Sequence, residues 1–100
     1  MSTKTKKYLE SLSGGPLNFG ELICSIRQGE EMTQVEFAEH LGVSKSHLCD
    51  IEKGRKSVSP QKAAEYADTL GYSQEQFVKF ILQDELRKAG LKLKVEVKAS

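Results

Sequence analysis

The chain has 100 residues, of which 38% are hydrophobic and 29% charged, and its formal net charge at pH 7 is +1. This length suits one domain with a modest core and is too short for two independent ones. No apolar run approaches the roughly 20 residues of a membrane-spanning helix, and no apolar signal core follows the basic N-terminus. We therefore expect a cytoplasmic protein with no membrane partner.

The cysteines are too few for a disulfide framework and do not form a CxxC pair. Cys24 and Cys49, taken together with His40 and His47, are the combination that could suggest a metal site. The ligand spacing of such a site is missing, because Cys24 stands alone and His47 and Cys49 point to different faces of a helix. We therefore expect ordinary thiols, solvated imidazoles, no metal and no other cofactor.

The charges are unevenly distributed along the chain. Residues 20–57 contain seven acidic and five basic residues, yet four of the bases fall within the twelve positions 45–56. These four are Lys45, Lys53, Arg55 and Lys56. Such a cluster can face a phosphate backbone while the opposite side of the domain stays acidic. The near-neutral total is weaker support for nucleic-acid binding than a strongly basic one would be.

Residues 1–16 predict a flexible basic arm, because they open polar and basic and end in the helix-breaking sequence Ser-Gly-Gly-Pro. A first helix is predicted over 17–29, where Phe19, Ile23 and Ile26 recur at helical spacing. Gly29 is the expected end of this helix.

Two short helices follow. Thr33 caps a helix over Gln34–His40, and Glu36, three residues after the cap, completes a capping box. After a tight turn at 41–43, a helix over Lys45–Lys53 begins with its own serine cap. Two short helices joined by a three-residue turn that contains a glycine have the geometry of a helix-turn-helix.

The rest of the chain contains two more helices and then a change of period. Ser59 and Pro60 predict the start of a helix that runs to position 70, and a serine at 73 caps the last helix, over 74–89. Residues 91–98 alternate apolar and charged side chains without a break, which is the pattern of a half-buried strand. The predicted segments are therefore the arm 1–16, a helical domain 17–90 and a strand segment 91–100.

The two short helices have an apolar side and a polar side. The apolar positions expected to form the interior of the pair are Phe37, Ala38, Leu41, Val43, Leu48 and Ile51. On the second helix of the pair, the positions expected on the opposite face are Lys45, Ser46, Cys49, Asp50 and Lys53. The major groove of DNA accepts an α-helix, and the first residues of that helix reach the base edges.

The pattern from 19 to 73 resembles the phage Cro/repressor-like (XRE) family of helix-turn-helix regulators. The residues that carry the resemblance are Ser25-Ile26-Arg27, Met32-Thr33-Gln34, Phe37-Ala38-Glu39, Leu41-Gly42-Val43-Ser44 and Ile51-Glu52-Lys53-Gly54-Arg55, with Ala67, Leu70 and Gly71. The resemblance implies an all-α, five-helix, lambda-repressor-like domain whose second and third helices bind double-stranded DNA. It also implies a bacterial or phage-encoded homodimeric repressor. No P-loop, GxSxG or HExxH motif suggests an enzyme.

The resemblance assigns roles to individual residues. Those that match base-reading positions are Lys45, Ser46, Cys49 and Asp50. Lys45 can donate to guanine, whereas Asp50 could accept from cytosine or act mainly by excluding other sequences. Residues expected at the DNA backbone are Thr33, Gln34, Ser44, His47, Lys53, Arg55, Lys56 and Ser57. Arg27 and Glu52 match a structural ion pair that joins the first and third helices.

Three further interpretations concern an apparent acid–base cluster, the strand segment and an alternative function. Glu36, Glu39 and His40 resemble an acid–base cluster, but their spacing is typical of the solvated face of a short helix. The strand segment is expected to pair with its copy in a second chain through one apolar face, formed by Leu91, Leu93, Val95 and Val97. The alternative function is an antitoxin that binds a toxin protein and also regulates its own operon.

Overall fold

The computed structural model describes residues 18–99. They contain five α-helices, which are α1 (Phe19–Gly29), α2 (Gln34–Leu41), α3 (Lys45–Glu52), α4 (Pro60–Leu70) and α5 (Gln74–Lys88). No strand occurs in this part of the chain, and the predicted all-α class is confirmed. None of the helices described is both long and apolar enough to cross a membrane. The predicted arm 1–16 lies outside the described residues.

Side-chain caps set the helix starts. At the start of each helix, the cap side chain accepts a hydrogen bond from the backbone N–H three residues later; the caps are Asn18, Thr33, Ser44, Ser59 and Ser73. Such a bond satisfies one of the N–H groups that a helix start leaves without a partner. The predicted starts of the last four helices are therefore confirmed. Three ends differ from the prediction by one residue, since α2 continues to Leu41 whereas α3 and α5 end at Glu52 and Lys88.

Helix α1 ends at Gly29 as predicted, but this glycine does not take the left-handed conformation. Gly29 is buried and still belongs to the helix, and the left-handed residue comes two positions later, at Glu31 with φ 58°. Its N–H donates to the carbonyl of Gln28 at 3.0 Å, while the N–H of Met32 donates to that of Arg27 at 3.1 Å. The turn thus satisfies carbonyls at the helix end in the manner usually associated with a glycine.

Residues 18–57 form one compact unit, in which α1 and α2 both pack against α3. Its buried apolar side chains are Phe19, Leu22, Ile23 and Ile26 on α1, Phe37 and Ala38 on α2, and Leu48 and Ile51 on α3. The predicted interior of the short helix pair is correct at four positions. Leu41 and Val43, which were also expected there, are only half-buried.

Residues 58–99 form a second compact unit, in which α4 packs against α5. Its buried apolar side chains are Val58, Ala63, Tyr66, Ala67, Phe77 and Ile81. Residues 91–99 follow α5 and form neither helix nor strand, so the strand predicted over 91–98 is not formed within the single chain. No other strand lies among the described residues to pair with them, so the predicted pairing with a second chain stays a prediction.

Candidate nucleic-acid interface

The turn between α2 and α3 is built around a glycine. Gly42 has φ 75° and ψ 30°, a left-handed conformation that glycine adopts without steric cost. Its N–H donates to the carbonyl of Glu39 at 3.1 Å, and the N–H of Val43 donates to that of Ala38 at 2.9 Å. The hydroxyl of Ser44 then accepts from the N–H of His47 at 3.0 Å and starts α3. These local bonds set the direction in which α3 leaves the turn.

Helix α3 has one buried and one outward face. Leu48 is fully buried and Ile51 is 2% exposed. On the other side, Lys45 and Ser46 are exposed and Cys49 and Asp50 are half-exposed. The residues expected to read bases therefore share the outward face of α3, with the first two on its first turn. Their contact with DNA stays a prediction.

An ion pair anchors the C-terminal end of α3 to α1. The guanidinium of Arg27 donates from Nε to Oε2 of Glu52 at 2.7 Å and from Nη2 to Oε1 at 3.1 Å. The Arg27 side chain is 14% exposed and that of Glu52 only 5%. These bonds to Glu52 raise the pKa of Arg27. The two-bond fork gives the pair a defined geometry.

The Glu52 carboxylate also accepts a hydrogen bond from Gln34, which the sequence did not predict. The Gln34 side-chain amide donates to Oε1 of Glu52 at 3.1 Å. Arg27 uses its remaining nitrogen Nη1 to donate to the carbonyl of Met32 at 3.1 Å, just before α2. Glu52 therefore connects α1, α2 and α3 at one point. Its bond to Gln34, the first residue of α2, holds the start of α2 against the end of α3.

Close backbone packing supports this anchor. Gly20 on α1 is buried, and a Cβ atom placed there would lie 2.6 Å from the carbonyl oxygen of Ile51 and 2.8 Å from that of Glu52. Contacts below 3.0 Å essentially never occur for real Cβ atoms. A side chain of any kind at position 20 would therefore push the end of α3 away from α1.

A second charge cluster lies where α3 meets the following loop. Nε of Arg55 donates to Oδ1 of Asp50 at 2.9 Å, and Nζ of Lys56 lies 3.8 Å from Oδ2. The hydrogen bond from Arg55 lowers the pKa of Asp50. The Asp50 carboxylate, for which acceptance from cytosine was one of two expected roles, is thus already paired with two cations. Within the described residues, Lys45 and Lys53 form no ion pair and stay available for an outside anion.

Several predicted DNA-backbone residues have local structural roles. The hydroxyls of Thr33 and Ser44 cap α2 and α3. The carboxylate of Glu36 accepts from the N–H of Thr33 at 2.9 Å, and this bond lowers the pKa of Glu36. His47 is half-buried. The exposed residues of the loop after α3 are Lys53, Arg55, Lys56 and Ser57.

The remaining candidates for chemistry lie apart from one another. Cys24 is half-buried, and burial together with the nearby Glu52 raises the pKa of its thiol. Its Sγ lies 3.8 Å from Nη2 of Arg27. Glu39 and His40 are exposed on α2. No group of three or more His, Cys, Asp or Glu side chains in residues 18–99 could hold a metal ion.

Comparison with known families matches this arrangement. A family model described as helix-turn-helix matches residues 25–77, just over half of the chain, and this segment contains α2, the turn and α3. Neither the curated proteins nor the solved structures compared with the chain give a match. The chain belongs to the XRE-type helix-turn-helix family of DNA-binding transcription regulators.

Proposed function

We propose that this protein is a homodimeric, sequence-specific repressor that reads the major groove with α3. The observation that carries the proposal is the contrast between the two sides of this helix. Its C-terminal end is held by Glu52, whose carboxylate binds Arg27 and Gln34. Its first turn exposes Lys45 and Ser46. A helix that is anchored on its buried side and exposes polar and cationic side chains on its opposite side suits direct reading of base edges.

Base reading is assigned first to Lys45, with Ser46, Cys49 and Asp50 beside it on the outward face. An unpaired ammonium group can donate to O6 and N7 of guanine, and a hydroxyl is permissive. Because Asp50 is paired with Arg55 and Lys56, its part is to exclude sequences and to position these cations. Of the two roles that the sequence suggested for Asp50, exclusion of other sequences is therefore favoured over acceptance of a hydrogen bond from cytosine.

Contacts with the DNA backbone are assigned to two places. One is the start of α2, where the helix dipole and the N–H groups of Gln34 and Val35 favour a phosphate. The other is the loop after α3, whose exposed donors are Lys53, Arg55, Lys56 and Ser57. Thr33, Ser44 and His47 would contribute near the two helix starts. Contacts of this kind position the protein without selecting a sequence.

Replacing Lys45 by alanine tests the assignment of base reading. The operator complex should weaken by on the order of 1–3 kcal/mol, while binding to random DNA of the same length should change less. Arg55→Ala is the matched control, since a phosphate contact should weaken both complexes alike. Fluorescence anisotropy with the two duplexes measures the effects. Equal losses for Lys45→Ala on both duplexes would move Lys45 to the DNA backbone.

An antitoxin is the second candidate function. The observation that favours it is the exposure of Leu91 and Leu93, at 48% and 57%, which could serve a protein partner. The same apolar alternation, which includes Val95 and Val97, is what we propose for the homodimer. Copurification with the product of a neighbouring reading frame, combined with a monomeric state of the chain alone, would favour the antitoxin.

A further inference from the structure

The side chain of Gln83 forms hydrogen bonds with the backbone of segment 91–98 in the way that a neighbouring strand would. The amide of Gln83 on α5 donates from Nε2 to the carbonyl of Leu93 at 2.6 Å. Its Oε1 accepts from the N–H of Val95 at 3.0 Å. In an extended chain, the carbonyl of one residue and the N–H of the residue two positions later face the same side. Gln83 therefore occupies one edge of the segment.

The opposite edge of the segment is open. The backbone groups that face it belong to Lys92, Lys94, Glu96 and Lys98, and they make no hydrogen bond within the described part of the chain. From position 94 to 98 side-chain exposure alternates as well, because Val95 and Val97 are half-buried while the charged residues between and after them are exposed. A strand edge with free N–H and C=O groups is a template for another strand.

We propose that this open edge pairs antiparallel with the same edge of a second copy, with the two-fold axis beside Val95. The proposal deepens the homodimer of the proposed function and rests on it. An isologous contact of this kind requires a self-complementary segment. Centred on Val95, the pairing places Lys94 opposite the second copy's Glu96 and Leu93 opposite the second copy's Val97. The contact therefore combines two ion pairs with a shared apolar face.

Charge selects this register over its neighbours. Shifting the centre to Lys94 would place two lysines directly opposite each other at the axis, and shifting it to Glu96 would place two glutamates there. Like charges directly opposite destabilise a strand pair. With Val95 at the centre, the like pairs are Lys92 with Lys98 at the outer ends, where strands fray and long side chains spread into solvent.

Disulfide trapping tests the register. In a Cys24→Ser, Cys49→Ser background, Val95→Cys should cross-link two copies under mild oxidation, because residues at the axis face each other directly. Leu93→Cys is the matched control: its sulfur atoms would lie roughly 14 Å apart, four residues of strand rise. Equal cross-linking of the two variants, or none in either, would overturn the proposal.

Sedimentation equilibrium without DNA tests the role of Gln83. The wild-type chain should be dimeric at micromolar concentration, and Gln83→Ala should raise the dimer dissociation constant about tenfold by releasing two hydrogen bonds. Gln76→Ala, an exposed glutamine on the same helix, should leave it unchanged. A monomeric wild-type chain, or equal effects of both variants, would contradict the pairing. A dimer that binds no DNA would instead contradict the proposed function and leave the pairing intact.

Discussion

Replacing Arg27 by alanine should lower the free energy of unfolding by about 3 kcal/mol, because it leaves a buried carboxylate without its cation. The Glu52 side chain is only 5% exposed. One hydrogen bond from Gln34 remains, which keeps the loss at the lower end of the range for broken buried pairs. In a domain of this size the change corresponds to a fall in Tm of roughly 12–24 °C. Thermal unfolding followed by circular dichroism measures it.

Two further variants separate charge burial from a general loss of contacts. Arg87→Ala removes an exposed arginine that pairs with Asp84 on α5, and it should cost less than about 1 kcal/mol. Arg27→Met combined with Glu52→Leu should recover part of the stability, because no charge is then left buried. An unchanged Tm for Arg27→Ala together with an altered operator preference would show that Arg27 contacts DNA and does not serve as an anchor.

Replacing Gly20 by alanine should destabilise the protein by about 1–3 kcal/mol through overpacking. The sign is the informative part, since alanine in place of glycine within a helix normally stabilises by about 1 kcal/mol. Here the added Cβ would lie within 2.8 Å of two backbone carbonyl oxygens at the end of α3. Because these are backbone atoms, α3 itself must shift, and operator affinity should fall along with stability. Chemical denaturation and operator binding below the midpoint measure the two effects.

Gly71→Ala is the control for this prediction. Gly71 has φ 78° and open space around the position of a Cβ, so alanine there costs only backbone strain of about 1 kcal/mol. Gly71 lies in the turn between α4 and α5, outside the residues assigned to DNA, and operator affinity should therefore be unchanged when the variant is folded. A Gly20→Ala variant as stable as the wild type would mean that α1 and α3 are not in close backbone contact.

Local signals explain why the sequence predicted the helices well. Cap residues such as Thr33, Ser44 and Ser73 act through bonds to N–H groups three residues away, so neighbouring residues suffice to identify them. The outward and buried faces of α3 follow in the same way from helical periodicity. The end of α1 at Gly29 was predicted too, but its left-handed residue was not, because a glycine is the usual signal for that conformation, whereas here Glu31 takes it.

The contacts that organise the site could not be predicted, since they depend on how distant segments pack. Gln34 meets Glu52 across 18 positions, and Gln83 meets Val95 across 12. Glutamine can bond to many partners, so its sequence position does not identify one. The pairing of Asp50 with Arg55 spans only five positions and could have been suspected, because an acid on a surface that faces phosphates requires a cation nearby.

Salt-dependent binding to the DNA upstream of the protein's own gene tests the central claim most directly. The logarithm of the affinity should fall linearly with the logarithm of salt concentration. Lys53→Ala removes one phosphate contact and should make this line less steep by a slope of about one. At physiological salt, binding to this DNA should be at least about a thousandfold tighter than to random DNA. Affinity that is equal on both sequences, or that does not depend on salt, would contradict an operator-reading repressor.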